Sequence, residues 1–176
     1  SVVLDAKGME IKSITLSGKE LSYDYSNGNT LTVYLDKIYK KDELITFTVD
    51  YIAKPEGRET SGSAAITSDK GLYFINADGT DKNKPTQIWT QGETEASSCW
   101  FPTIDAPNQK TTQEIYITVP NKFVTLSNGE LINQIKKESR IGGRGCVGHL
   151  HSPPFGGPSS HSTSIPHLLH HSRIPL

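Results

Sequence analysis

Polar and apolar residues alternate along most of the chain with a period of two, the signature of half-buried strands and not of helices. Met9, Ile11, Ile14 and Leu16 define one strand, and the alternation slips near Lys12 and Ser13, where an irregularity is predicted. Leu21, Tyr23 and Tyr25 define the next, which ends at Ser26-Asn27-Gly28-Asn29, residues that tolerate positive φ and suit a hairpin turn. Leu31, Val33 and Leu35 follow. Between Leu44 and Ile52, the apolar residues Ile45, Phe47, Val49 and Tyr51 alternate with Thr46, Thr48 and Asp50, which predicts an amphipathic strand with one face on a core. A polar loop covers 54–63, Leu72 to Ile75 is a short apolar strand, and Asn76-Ala77-Asp78-Gly79 closes it with a turn. Thr112 to Val119, Phe123 to Leu126 and Leu131 to Ile135 complete the predicted strands. The one predicted helical turn lies at Glu93 to Cys99. Strands joined by turns, with no repeat and no long helix, predict an all-β fold: an antiparallel two-sheet sandwich or saddle with one short helical turn.

One stretch departs from simple alternation. TQIWTQGETEASSCWFPTIDAPNQKTT, from Thr86 to Thr112, holds both tryptophans, a Phe101-Pro102 step and Asp105-Ala106-Pro107-Asn108, which predicts a turn. Gln91 and Glu93 are two apart, so an extended backbone from Thr90 to Glu93 would send both side chains to one side, where they could address a small cation such as an ammonium together. Trp89 would then point the opposite way and anchor the strand in a core. The plainer reading of Glu93 is that it caps or begins the short helical turn, with Gln91 bonded to backbone. Asp105 reads as a turn residue rather than a base, and Ser97 and Ser98 have no histidine partner in the strand-forming part for a nucleophile relay. Trp89, Trp100 and Phe101 could stack on a sugar, but core packing explains them as well.

The same stretch resembles the N-terminal domain of the aminopeptidase N family of zinc aminopeptidases. The matching residues are Thr90, Gln91, Glu93, Phe101, Pro102, Asp105 and Pro107, then Lys110, the strand from Thr112 to Val119, and Ser127-Asn128-Gly129. DAKGMEIKSITL, KGLYFI and the Asp78-Gly79 turn resemble a bacterial branch of the family. One departure stands out: the position four before the proline, usually arginine in the family, is Ser98. The resemblance covers residues 1 to 138 and implies a saddle-shaped β domain in which Glu93 reaches into the active-site cleft and helps bind the substrate's free α-amino group. It also implies a parent enzyme that uses zinc to remove single amino acids from peptide N-termini. The H-E-x-x-H helix and the G-x-M-E-N loop of that chemistry are absent, so this chain is expected to hold no cofactor, to be inactive alone, and to need a catalytic domain as its partner.

Composition divides the chain at one place. Residues 1–138 hold thirteen of the fourteen aromatic residues and all nineteen acids against fifteen lysines and arginines, a net charge of minus four. Residues 139–176 hold all six histidines, five of the ten prolines and six of the fifteen glycines, with no acid and no lysine. Two domains are therefore expected: a β domain over 1–138, cut at its front, and a disordered, non-native tail over 139–176 that arises from a reading-frame error, an altered gene or a truncation. His149 with His151, and His167 with His170 and His171, have spacings that could bind a metal, but no acid or cysteine cluster accompanies them and no physiological metal site is expected. Cys99 and Cys146 lie on opposite sides of the break, and Cys99 is expected to be a buried free thiol.

Neither part is basic enough for nucleic acid, and no apolar run reaches the roughly 20 residues of a membrane span. Nothing indicates a compartment. Two functions remain open from the sequence. One is the N-terminal, substrate-cleft domain of a zinc aminopeptidase, present as a fragment. The alternative is a stand-alone β-sandwich that binds a protein or carbohydrate partner.

Overall fold

The computed structural model describes the chain except residues 41, 56–68, 94, 110, 128, 139–143, 153–160, 163–166 and 174–176, and from residue 136 onward it describes strand backbone only. Among the described residues the fold is antiparallel β with a single 3-10 turn, as the alternation predicts. The chain divides into two compact units. The first comprises Ser1–Gly71 and Gly92–Thr111 with the last four residues, and the second Leu72–Gln91 with Thr112–Ser172.

In the first unit, β1 (Val2–Asp5) pairs with β5 (Thr30–Val33), and β5 with β4 (Tyr23–Asp24). A second sheet places β2 (Met9–Leu16) between β3 (Lys19–Glu20) and β6 (Phe47–Ala53). The β2–β6 ladder shifts register between Ile11 and Ser13, at the slip read from the sequence. That bulge keeps Met9 and Ile14 on one core although they differ in parity, because the extra residue flips the alternation. Val2, Leu4, Leu31 and Val33 from one sheet join Met9 and Ile14 from the other in a single buried cluster, with Phe47, Val49 and Tyr51 packed against it. Two facing sheets thus share one core. Full burial of a residue such as Ile14 stabilises by about 1.5–3 kcal/mol.

The predicted hairpin at Ser26–Asn29 forms. Gly28 has φ +65°, and the Asn27 side-chain oxygen accepts from Asn29 N and Thr30 N at 2.9 and 2.8 Å. Tyr25, predicted as a strand residue, lies past the end of β4 and uses its hydroxyl instead: it accepts from Met9 N at 2.8 Å and faces the carbonyls of Ala6 and Gly28 at 2.6 and 2.9 Å.

In the second unit, β7 (Leu72–Ile75) pairs with β8 (Gln87–Thr90). Their connection is closed by Asn76, at φ +48°, whose amide donates to the carbonyls of Asp81 and Lys84 at 2.9 and 2.7 Å while its oxygen accepts from Asp81 N. In the other sheet, β9 (Thr112–Pro120) buries Ile117 and Val119, as the period predicts, and β10 (Glu130–Glu138) lies at the sheet's edge. Phe123 to Leu126 is not a strand. Phe123 N donates to Pro120 O in a turn and its ring packs on Ile117 and Val119, whereas Val124 and Leu126 are exposed. Alternation over four residues without a partner strand does not make a ladder.

Past Glu138 the described backbone runs as β11 (Arg144–Ser152), β12 (His161–Ser162) and β13 (His167–Arg173). The β11 strand lies between β9 and β10, pairing with both. Composition bears on what a segment can bury, whereas ladder pairing uses main-chain groups that every residue but proline supplies in full. The loop predicted over 54–63 falls from residue 56 outside the described residues, as do the side chains of the six histidines and of Cys146.

Candidate functional site: the Gly92–Cys99 turn

Strand β8 ends at Thr90, Gln91 and Gly92 follow outside any strand, and Glu93 lies in a turn. Gln91 closes the second unit and is half-buried; Gly92 opens a segment of the first unit. Glu93 sits in a turn in which Ala96 N donates to Gly92 O at 3.1 Å, and it is exposed. The 3-10 turn itself covers only Ser97–Cys99, with Ala96 at its N-cap and no acid in its first turn, so Glu93 is not its cap. The sequence argument for a capping glutamate fails because the helical geometry begins four residues later.

Core anchoring in β8 falls to Ile88, which is buried, and not to Trp89. Trp89 is half-buried and meets Tyr73 edge-on at 5.5 Å, the cross-strand neighbour given by the register. Phe101 is buried, with Trp100 edge-on at 4.5 Å, which removes it from any open stacking platform.

The underside of the turn is buried. Ala96, Ser98 and Cys99 are buried, and Cys99 is a free thiol whose sulfur lies 3.7 Å from Asp69 O. Ser98, where the family pattern has arginine, donates its N to Asp105 Oδ2 at 2.8 Å and accepts from Lys7 N at its carbonyl at 2.8 Å, while its hydroxyl is buried with no partner among the described residues. The Asp105 carboxylate, predicted to fix its own turn, is bonded to Ser98, and the turn after it is closed by Gln109 N donating to Ala106 O. Sequence reading missed the link from Asp105 to Ser98, since nothing local joins two loop residues seven apart. Behind the turn, Gly71 has φ +71°, and a Cβ there would lie 2.0 Å from Ala96 O, so only glycine lets the two backbones approach.

Residues 1–142 match the peptidase M1 N-terminal domain. The chain belongs to that family. Among solved structures it is similar to a two-domain M1 zinc metallopeptidase, in a mutant form bound to L-arginine, with 18% identity and a TM-score of 0.63 over 85% of this chain and 31% of that one. It is also similar to native yeast LTA4 hydrolase, with 13% identity and a TM-score of 0.48 over 92% of this chain and 23% of that one. The chain therefore spans less than a third of either of these proteins. No curated protein matches it. Among the described residues no three of His, Cys, Asp and Glu gather into a group that could hold a metal, so they do not fit a zinc site, and no helix is long and apolar enough to cross a membrane.

Proposed function

We propose that this M1 N-terminal domain is the part of a zinc aminopeptidase that binds the peptide α-amino group, and that Glu93 is the anchor. The observation that carries the reading is an exposed carboxylate on a turn whose floor is buried and hydrogen-bonded to the rest of its unit. A carboxylate held on such a support meets an ammonium without first being ordered, and its attraction grows as a cleft excludes water. The similar metallopeptidase bound to L-arginine supports an amino acid with a free amine as the ligand class. Gln91 is assigned to the same amine from its place in the sequence beside Glu93. Hydrolysis itself belongs to a zinc-bearing catalytic domain that would be this domain's partner.

The domain is further proposed to end near residue 138, with 139–176 a non-native tail, on the change of composition there. Mass spectrometry of the natural product checks this: a continuation rich in lysine and acids after Lys137 is expected, and the histidine-rich sequence found instead would refute it. The site is tested by Glu93→Ala in the full-length enzyme. KM for peptides with a free N-terminus is expected to rise about tenfold or more, the loss of one charge-assisted contact. An unchanged KM makes Glu93 a structural residue.

A further inference from the structure

We infer that Asp105 is a positioning residue that holds the Glu93 turn in place through the main chain of Ser98; the functional part of this rests on the reading of Glu93 as the amine anchor. Ala96, at the N-cap of the 3-10 turn that follows Glu93, makes no side-chain capping bond. The segment is fastened from distant parts of the sequence. Asp105 Oδ2 accepts from Ser98 N at 2.8 Å, and Lys7 takes the opposite face of the same residue, its N donating to Ser98 O at 2.8 Å. The Lys7 ammonium donates to Glu95 O at 2.6 Å, two residues past Glu93.

Asp105 is itself fixed. Its N donates to Asp5 Oδ2 at 2.9 Å, and the Asp5 main chain exchanges bonds with Thr103 at 2.7 and 3.0 Å. A line of contacts therefore runs from the end of β1 through Asp105 to Ser98 and the turn, all inside the first unit. Its middle contact is a carboxylate on a backbone N–H, a class roughly twice as strong as a neutral pair. Ser98 is fully buried, so with the carboxylate gone its N–H has no water to replace it. Exposed Glu93 and Glu95 lie on a strip whose underside, Ala96, Ser98 and Cys99, is held this way. The carboxylate thus sets how well Glu93 is presented without touching the substrate.

The test is digestion of the chain by a glutamate-specific endoprotease, with cleavage sites read by mass spectrometry. Asp105→Ala is expected to speed cutting after Glu93 and Glu95 about tenfold relative to cutting after Glu20 and Glu43, while Asp105→Asn, which keeps an acceptor oxygen, stays close to the parent. Equal acceleration at all four sites, or none, overturns the inference. Should Asp105→Ala fail to fold, Lys7→Ala removes only the exposed amine contact with Glu95; a smaller rise at the same two sites supports the inference and no rise refutes it. In the full-length enzyme, Asp105→Ala should raise KM in the parent background and add nothing once Glu93→Ala is present. Additive effects overturn the positioning role. No effect of Glu93→Ala on KM sinks the amine-anchor reading instead, and the protease pattern then still decides whether Asp105 holds the turn.

Discussion

Tyr25→Phe removes a single oxygen from the first unit and leaves the ring that packs on its core. That oxygen accepts from Met9 N at 2.8 Å and lies 2.6 and 2.9 Å from the carbonyls of Ala6 and Gly28, between which the one phenolic proton is shared. Met9 is buried, so its N–H is left without a partner, a loss of about 1–3 kcal/mol, and the shared donor bond adds about 1 kcal/mol. A total of about 2–4 kcal/mol, divided by a urea slope of about 2 kcal/mol per molar, gives a midpoint lower by about 1–2 M. Urea unfolding followed by Trp100 fluorescence in a Trp89→Phe background reads the first unit alone. An unchanged slope with that midpoint drop is expected. A midpoint within about 0.2 M of the parent would mean that water replaces the hydroxyl and that the three contacts do not close the space between β1, β2 and the Gly28 turn.

Gly71→Ala should destabilise the first unit by ~2 kcal/mol or more, since the new Cβ meets Ala96 O at 2.0 Å on top of the positive φ, whereas Gly18→Ala, with φ +80° and open space, should cost about 1 kcal/mol; the reverse order of melting temperatures would refute the close approach. Cys99 should resist maleimide until the chain unfolds, being fully buried, with peptide mapping to separate it from Cys146, and rapid native labelling would contradict that burial. The hydrogen bond and charge of Lys54 hold the exposed Glu10 carboxyl below its usual value of 4.5. A depressed folded-state value gives a contribution that is present above the usual value and lost as pH falls through the folded one, so Glu10→Gln should differ slightly from the parent at neutral pH and merge with it in acid; a difference that persists in acid would assign the effect to packing.

Period-two reading found most of the longer strands that put one face on a core, but not the four-residue β1 and β8, which bury Val2 and Leu4 and Ile88. Leu72 to Ile75 was legible to the residue, and the slip at Lys12 and Ser13 marked the bulge in β2, because burial on one face leaves a trace in every second position. It failed where burial is not the cause of the pattern. Phe123 to Leu126 alternates, yet only Phe123 reaches a core. Trp89 has the size of an anchor, but parity gives the core to its neighbour Ile88. At the turn, residue identity excluded no role for Glu93, while the bonds that fasten the segment, from Asp105 to Ser98 and from Lys7 to Glu95, join residues 7 and 88 apart and have no periodic signal.

The two units are threaded through one another along the sequence, with Leu72–Gln91 of the second standing between the two main segments of the first. No single cut in the chain yields either one whole. During synthesis, the Asp5 carboxylate meets the Asp105 amide only after the intervening stretch, a separation of 100 residues, has emerged from the ribosome. The ladder of β1 with β5 needs only the first 33 residues, whereas the Asp5–Thr103 bridge on its other edge waits for that long loop to close.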